Sequence, residues 1–330
     1  MNGSNPLISV IVPVYNDAGY LEMALESLRV QTLRDFEVLI SDDGSTDAST
    51  QIAMRYVSED KRFRLERNET NLGMTQNWNT ALNKSWGQYV AKLDADDTFQ
   101  PDALKTMVSA LQRYPSATVF CRAISCDAEL RPTGSYRGER AFILHGLEPL
   151  TERAEQGHFW YWMAFDDYQL WHSNAFLIER DRFMQMGGWD ERWGCAADTD
   201  FILRVLEQNL SVVHCPYPGV MYRHREGSVS DLYRKNNKLE AEGAAICLRS
   251  LVRYNKAGGQ VNGRLARNWF RIWRNWSVGN QLSSESGDLH RLRLPELDIA
   301  YKPALQVILT GRVWQFVNSL KIRLNGYASL

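Results

Sequence analysis

After Asn5-Pro6 the chain runs through an unbroken apolar stretch, "LISVIVPVY" (7–15), closed by Asn16-Asp17. A β-branched run without polar alternation is the pattern of a strand covered on both faces. Leu21, Ala24, Leu25 and Leu28 then recur at helical spacing and predict a helix over 19–31. The same alternation continues. "FEVLISDDGSTD" (36–47) reads as a strand ending in a turn, 47–58 as a helix and "RFRLERNE" (62–69) as a third strand. A helix over 74–85 and a strand over "GQYVAKLDADD" (87–97) follow. Pro101 opens the next helix, to about Arg113, where proline is tolerated, and "ATVFCRAISC" (117–126) returns to strand. Strands alternating with helices predict an α/β fold: a mostly parallel, Rossmann-like sheet flanked by helices.

Beyond this the pattern loosens. Residues 128–190 are less regular and aromatic-rich, notably "HFWYWMAFDDYQLW" (158–171). A helix is expected over 198–209, a strand over 210–224, and mainly helix from about 235 onward. Within that tail, 264–276 and 305–324 carry apolar residues at i, i+3, i+4 spacing, the first with Arg267, Arg271 and Arg274 off the apolar face. Such helices suit an anionic membrane surface, or packing onto the catalytic domain or a dimer partner.

The formal charge of −1 argues against a bulk nucleic-acid binder. No basic n-region leads into an apolar core and cleavage site, so no signal peptide is expected. No apolar run reaches the roughly 18–20 residues of a membrane span. The five cysteines lack zinc-ligand or CxxC spacing, which favours reduced thiols in the cytoplasm.

In doubly wound sheets ligands bind beyond the carboxyl ends of the strands. Asp42-Asp43 and the cluster Asp94, Asp96, Asp97 both fall there. A D-x-D pair suits Mg²⁺ or Mn²⁺, which share carboxylates with substrate phosphates; a solvated turn with Asp97 as a helix cap is the plainer alternative. "DDGSTD" can read ligand hydroxyls or a base N–H, or can build an Asx turn. There is no GxGxxG and no GxxxxGK[ST], so neither a dinucleotide fingerprint nor a P-loop is supported.

The order of these pieces is more specific than any one of them. "SVIVPVYN" (9–16), "LRVQTLRDFEVLISDDGSTD" (28–47), "NETNLGMTQNWNTALNKSWGQYVAKLDADD" (68–97) and "GGWDE" (187–191) resemble the inverting nucleotide-sugar glycosyltransferases of family 2, which have the GT-A fold. The resemblance covers about the first 230 residues. It implies a catalytic domain over 1–230, with a nucleotide-sugar half (1–127) and an acceptor and base half (128–230), followed by a helical region over 231–330.

The resemblance also implies roles. Pro13 and Tyr15 would lie against the nucleobase, with Asp42 and Asp43 on base and ribose, Asn79 matching a donor-site asparagine, and Asp94 near the ribose or the metal. Asp96 would ligate Mn²⁺ or Mg²⁺, supported by Asp97 and by His224 as a third ligand, with Arg223 or Arg225 on the diphosphate. Asp198 would be the general base, with Asp200 as its alternative, although Ala197 replaces the glutamate that usually precedes it. Asp198 as a helix cap and His224 as a surface residue are the plainer readings. Where the family usually shows Arg-Asn this chain has Trp78-Asn79; Lys92, one strand alternation from Asp94, could compensate, and a lysine on the alternate face of the strand is the plainer reading. Trp160, Trp162 and Trp171 are candidate acceptor platforms, or core.

The expected activity is transfer from a nucleotide-diphosphate sugar, UDP-linked by preference, to a glycan or lipid-linked glycan hydroxyl. The implied setting is cell-surface polysaccharide assembly at the inner face of the plasma membrane. The rival readings are a donor-binding scaffold and a sugar nucleotidyltransferase; the second calls for a Gly-rich, Arg-containing loop that "PVYNDAGY" lacks.

Overall fold

The structure is a computed structural model that describes residues 5–136, 139–166, 170–236 and 238–256. The chain divides into two compact units, 1–239 and 240–330. The helices expected over 264–276 and 305–324 lie outside the described residues.

The first unit begins with the repeating part: β1 (Ile8–Val14), α1 (Ala18–Arg29), β2 (Phe36–Asp42), α2 (Ser49–Glu59), β3 (Phe63–Arg67), α3 (Met74–Lys84) and β4 (Tyr89–Lys92). A two-residue β5 (Thr98–Phe99), α4 (Ala103–Arg113) and β6 (Thr118–Cys126) follow. Every residue of β2 is buried, its apolar run Val38–Ile40 and also Glu37, which pairs with Arg64 at 2.9 Å. Helix α1 buries Leu21, Ala24, Leu25 and Leu28, the residues its spacing selects. Burying each of those leucines stabilises the fold by roughly 1.5–3 kcal/mol. The expected strand over 87–97 ends early, at Lys92, because the chain turns: the Asp97 amide donates to the Asp94 carbonyl at 3.0 Å. Closely spaced aspartates belong to turns and not to ladders.

The irregular stretch contains β7 (Pro132–Tyr136), α5 (Glu139–Leu144), β8 (Arg153–Gln156), α6 (Gly157–Asp166), β9 (Phe176–Glu179) and α7 (Arg180–Gln185). Then come α8 (Ala197–Glu207), β10 (Ser211–Arg223) and α9 (Val229–Lys235), with α10 (Lys238–Lys256) starting at the unit boundary. The sheet order is β3-β2-β1-β4-β9-β6-β10-β5. Strands β3, β2, β1 and β4 are parallel, as is the β6–β10 pair. The second half is mixed, because β9 runs antiparallel to both β4 and β6. It follows the β7-to-α6 excursion and not a single crossover helix, so the right-handed crossover rule does not bind it.

Helix α6 is apolar on all sides, and Trp160 on it is fully buried, with its indole N–H donating to the Val212 carbonyl at 3.1 Å. Beside it His214 of β10 accepts the Trp171 indole N–H at Nδ1 (3.2 Å) while Nε2 lies 2.9 Å from the Pro149 carbonyl. Both ring nitrogens are satisfied only in the neutral form with the proton on Nε2. Burial accordingly lowers the His214 pKa to about 4. Its contribution to stability is complete above about pH 6.5 and is lost as pH falls towards 4, by about 3 kcal/mol in all. Urea unfolding at a series of pH values should show that loss, and His214→Gln should remove it from the difference curve.

Candidate active site

Three parallel strands, ordered β2-β1-β4, end on the same side of the sheet, and β10 brings Arg223 to the same place. Their loops line a cleft of about 640 Å³. The loops are laced together by backbone donors: the Asn16 amide to Ser45 Oγ, the Asp17 amide to Ser49 Oγ and the Ala18 amide to Asp47 Oδ2, each at 3.0 Å.

At one end Pro13 and Tyr15 line the cleft, and the Tyr15 ring is 46% exposed, so a face is open for stacking. Asp43 lies beside them. Its carboxylate accepts from Asn68 Nδ2, the Leu72 amide and the Gly73 amide, each at 2.9 Å. A carboxylate offers about four acceptor positions, so one remains for a ligand N–H or hydroxyl.

Asp42 does not share this task. It is buried outside the cleft lining and accepts from the Ser45 amide (2.9 Å) and Thr50 Oγ1 (2.6 Å). Adjacent residues at a strand end face opposite ways, so one Asp builds the turn and the other meets the cleft. Gly44 in that turn has φ +74°, and a Cβ there would lie 3.1 Å from the Thr70 carbonyl carbon.

Asn79 is likewise displaced from its expected donor-site role. Its amide is caged by the "GGWDE" loop, accepting from the Trp189 amide (2.9 Å) and donating to the Trp189 carbonyl (2.8 Å) and Glu191 (3.0 Å). Gly188 allows that approach, since a Cβ there would come within 2.5 Å of Asn79 Oδ1. Asn77 lines the cleft instead, tied to Ser41 and Asn68.

The three clustered carboxylates diverge. Asp94 faces the cleft, and its Oδ1 lies 2.5 Å from the Lys92 ammonium. Asp96 also faces the cleft and pairs with Arg225 Nε at 2.7 Å. Asp97 turns inward, only 1% exposed, and accepts from Asn174 Nδ2 (2.5 Å) and the Arg223 amide (2.8 Å). Burial first, then the charges of Asp96 and Asp94, push its carboxyl well above the usual range. Asp97 is therefore a bracket between the 94–97 turn and β10, not a metal ligand.

His224 is exposed, with its ring edge-on to Tyr222 at 4.6 Å, and does not line the cleft. Among the described residues no three His, Cys, Asp or Glu side chains are grouped to hold a metal. The second carboxylate near Asp96 is one the sequence reading passed over, Asp17, whose Oδ1 lies 2.9 Å from Arg225. Burial, followed by the Asp96 charge, raises the Asp17 pKa to about 6. Two carboxylates sharing one cation fit Mg²⁺ or Mn²⁺ only as a site completed by substrate phosphate oxygens, the usual arrangement for Mg²⁺. Arg223 and Arg225 both lie over the Tyr20 ring, at 4.9 and 4.6 Å. Asp17 stands where ligands gather, at a strand end, and could have been chosen on that rule; Tyr20 carried no signal.

Across the cleft, Asp198 lies in the first turn of α8, with its Oδ1 accepting the Thr199 amide at 2.6 Å. It thus serves the helix end as well as facing the cleft. Burial raises its pKa, the Lys92 charge and the Thr199 amide oppose that rise, and the Asp94 charge adds to it. Asp200 is fully buried against Arg204 at 2.6 Å, and Arg204 also donates to the Met186 and Gly188 carbonyls. That pair anchors the helix.

The expected acceptor platforms are not open faces. Trp160 is core, and Trp171 stacks on Phe120 at 4.3 Å and 9°, although it does line the cleft. The Trp162 side chain lies outside the described residues. In their place the cleft presents His172, packed on Tyr222 at 4.1 Å, a residue that carries no spacing signal.

The family model "Glycosyl transferase family 2" matches residues 9–168, and "Glycosyl transferase family group 2" matches 89–283. The chain belongs to glycosyl transferase family group 2. This family 2 chain is 35% identical over 191 residues to a chondroitin synthase of Escherichia coli, covering 55% of this chain and 26% of that protein. It is 39% identical over 103 residues to the putative glycosyltransferase EpsH of Bacillus subtilis, covering 31% and 30%. It thus spans less than a third of either relative. Its fold is that of the N-terminal 349 residues of Staphylococcus aureus TarS in complex with UDP-GlcNAc, with TM-score 0.63, 20% identity and coverage of 88% and 77%. It is also that of the mannosyltransferase PcManGT from Pyrobaculum calidifontis in complex with GDP-Man and Mn²⁺, with TM-score 0.56, 16% identity and coverage of 96% and 85%. This is the GT-A architecture.

The divergence of Asp96 and Asp97 is open to direct test. Asp97→Ala strands the Arg223 amide and the Asn174 side chain and should destabilise the fold by about 3 kcal/mol. Asp96→Ala breaks a partly exposed pair and should cost below about 1 kcal/mol. Urea unfolding of the two variants beside wild type measures both.

Proposed function

We propose that the protein is an inverting, metal-dependent glycosyltransferase that moves a sugar from a nucleotide-diphosphate donor, UDP-linked by preference, to a hydroxyl of a glycan. The observation that carries this reading is that one cleft is lined by Asp198, Asp94, Tyr15 and Asp43. The nucleoside would stack on Tyr15 and give a hydrogen bond to the open position on Asp43. Arg223 and Arg225 stand where the diphosphate would lie, and Asp96 with Asp17 would hold a divalent ion against its oxygens. That ion would neutralise charge on the departing diphosphate.

Asp198 takes the proton of the acceptor hydroxyl as its oxygen bonds to the anomeric carbon. The bond from that carbon to the diphosphate oxygen breaks, the electron pair leaves with the diphosphate, and the configuration inverts. Asp198 supplies this base without help from position 197, where Ala197 is fully buried.

The likeness to a chondroitin synthase supports polysaccharide assembly at the cell surface as the setting, with a glycan or lipid-linked glycan as acceptor. Among the described residues no helix is long and apolar enough to cross a membrane. Contact with the inner face of the plasma membrane, or between two copies, rests on the amphipathic pattern of residues 264–276 and 305–324 alone.

Purified protein with Mn²⁺ and a panel of nucleotide sugars should release a nucleoside diphosphate from at least one donor. Binding without release from any donor would favour a scaffold. Asp198→Asn should lower kcat about 10²–10⁴-fold while nucleoside diphosphate binding persists. Because burial raises the Asp198 pKa, the acidic limb of kcat/KM should lie above the ordinary carboxylate range. The rate should fall as pH drops through that limb and the base becomes protonated.

A further inference from the structure

We propose that Lys92 is a positioning residue of this site, an ammonium beneath the cleft that fixes the Asp94 carboxylate for the donor. The inference rests on the transfer reading above and adds a residue to it.

Lys92 is the last residue of β4, paired in register with Ile11, and is fully buried. A lysine is almost never buried to this extent without a partner. Its Nζ lies 2.5 Å from Asp94 Oδ1 and 4.2 Å from the centre of the Trp78 ring. Trp78 is itself held edge-on against Trp189 at 5.4 Å, so the ammonium sits on a fixed aromatic floor. Both Trp78 and Asp94 line the cleft.

The arrangement does two things. The ammonium engages one Asp94 oxygen, which orients the carboxylate and leaves the other for a ligand hydroxyl. Its charge also reaches Asp198 and opposes the effect of burial on that carboxyl.

The test combines calorimetric titration of UDP and GDP in the presence of Mn²⁺ with steady-state kinetics on the best donor. Lys92→Met should weaken nucleoside diphosphate binding about tenfold and lower kcat by a similar factor, as expected for one charge-assisted hydrogen bond. Lys92→Arg, which keeps a cation, should recover binding to within about threefold. The double variant Lys92→Met/Asp94→Asn removes both charges and keeps the fold should Lys92→Met alone not fold. With Asp94→Asn measured as the other single variant, its loss should be well short of those of Lys92→Met and Asp94→Asn combined. Unchanged binding and kcat in folded Lys92→Met, equal damage in Lys92→Arg and Lys92→Met, or additive losses in the double variant would each overturn the proposal. A wild-type protein that binds neither nucleotide would remove the transfer reading and this one with it, whereas wild-type turnover with an indifferent Lys92 removes this one alone.

Discussion

Three carboxylates within four residues, at the end of a strand and partly out of water, can coexist only if each has its own partner. At separations of a few ångström, unscreened like charges cost several kcal/mol at the effective dielectric of a protein surface. The chain resolves this by sending the carboxylates three ways. Asp94 goes to Lys92 below, Asp96 to Arg225 at the rim, and Asp97 inward to Asn174 and the Arg223 amide. Those partners come from β4, from β10 and the loop after it, and from the segment before β9. The acidic turn can therefore adopt this form only once the second half of the sheet has closed on the first. Arg223 completes the closure by donating its Nε to the Asp96 carbonyl at 2.7 Å while its amide holds Asp97.

This explains which parts of the molecule were legible in the sequence. The repeating half was legible because each of its elements is specified locally. β2 carries the apolar run Val38–Ile40 since both faces are covered, and α1 shows its buried stripe at helical spacing. The position of the site followed from topology, since parallel strands must present their carboxyl ends together. The division of labour between neighbours was not legible. Asp42 and Asp43 look equivalent in sequence, as do Asp96 and Asp97, and only the direction of each side chain separates turn-builder from cleft wall. Asn79 and Trp160 failed as site residues for a related reason: their partners, the 187–191 loop and Val212, lie 110 and 52 residues away.

Residues that act through other residues left the faintest trace. Tyr20 touches no expected ligand, yet its ring lies under both cleft arginines. Asp17 looked like the close of a turn, and its importance appears only when Arg225 is seen to bridge it to Asp96. Strand β9 was hidden because its antiparallel entry depends on a long excursion, whereas its neighbours follow a single helix each.

The charge balance of the cleft bears on the cation question more directly than the motif does. Its lining carries the carboxylates of Asp17, Asp43, Asp94, Asp96 and Asp198 against the guanidinium groups of Arg223, Arg225 and Arg234, with the Lys92 ammonium beneath. The site is near neutrality, and slightly acidic, before any donor arrives. A diphosphate brings further negative charge into a partly dry space, where Arg225 is already committed to two carboxylates and Arg223 to the backbone carbonyls of Asp96 and Ala128. Two outcomes remain: Arg225 leaves Asp96 and Asp17 for the phosphates, or a cation enters with the donor. The first alone would uncover two adjacent carboxylates, one of them already driven to a pKa of about 6 by burial and its neighbour. The second satisfies the carboxylates and the phosphates at once, and releases Arg225 to do the same. On the proposed reading, donor and divalent ion would belong to one binding event, with Asp96 and Asp17 as the protein's share of it.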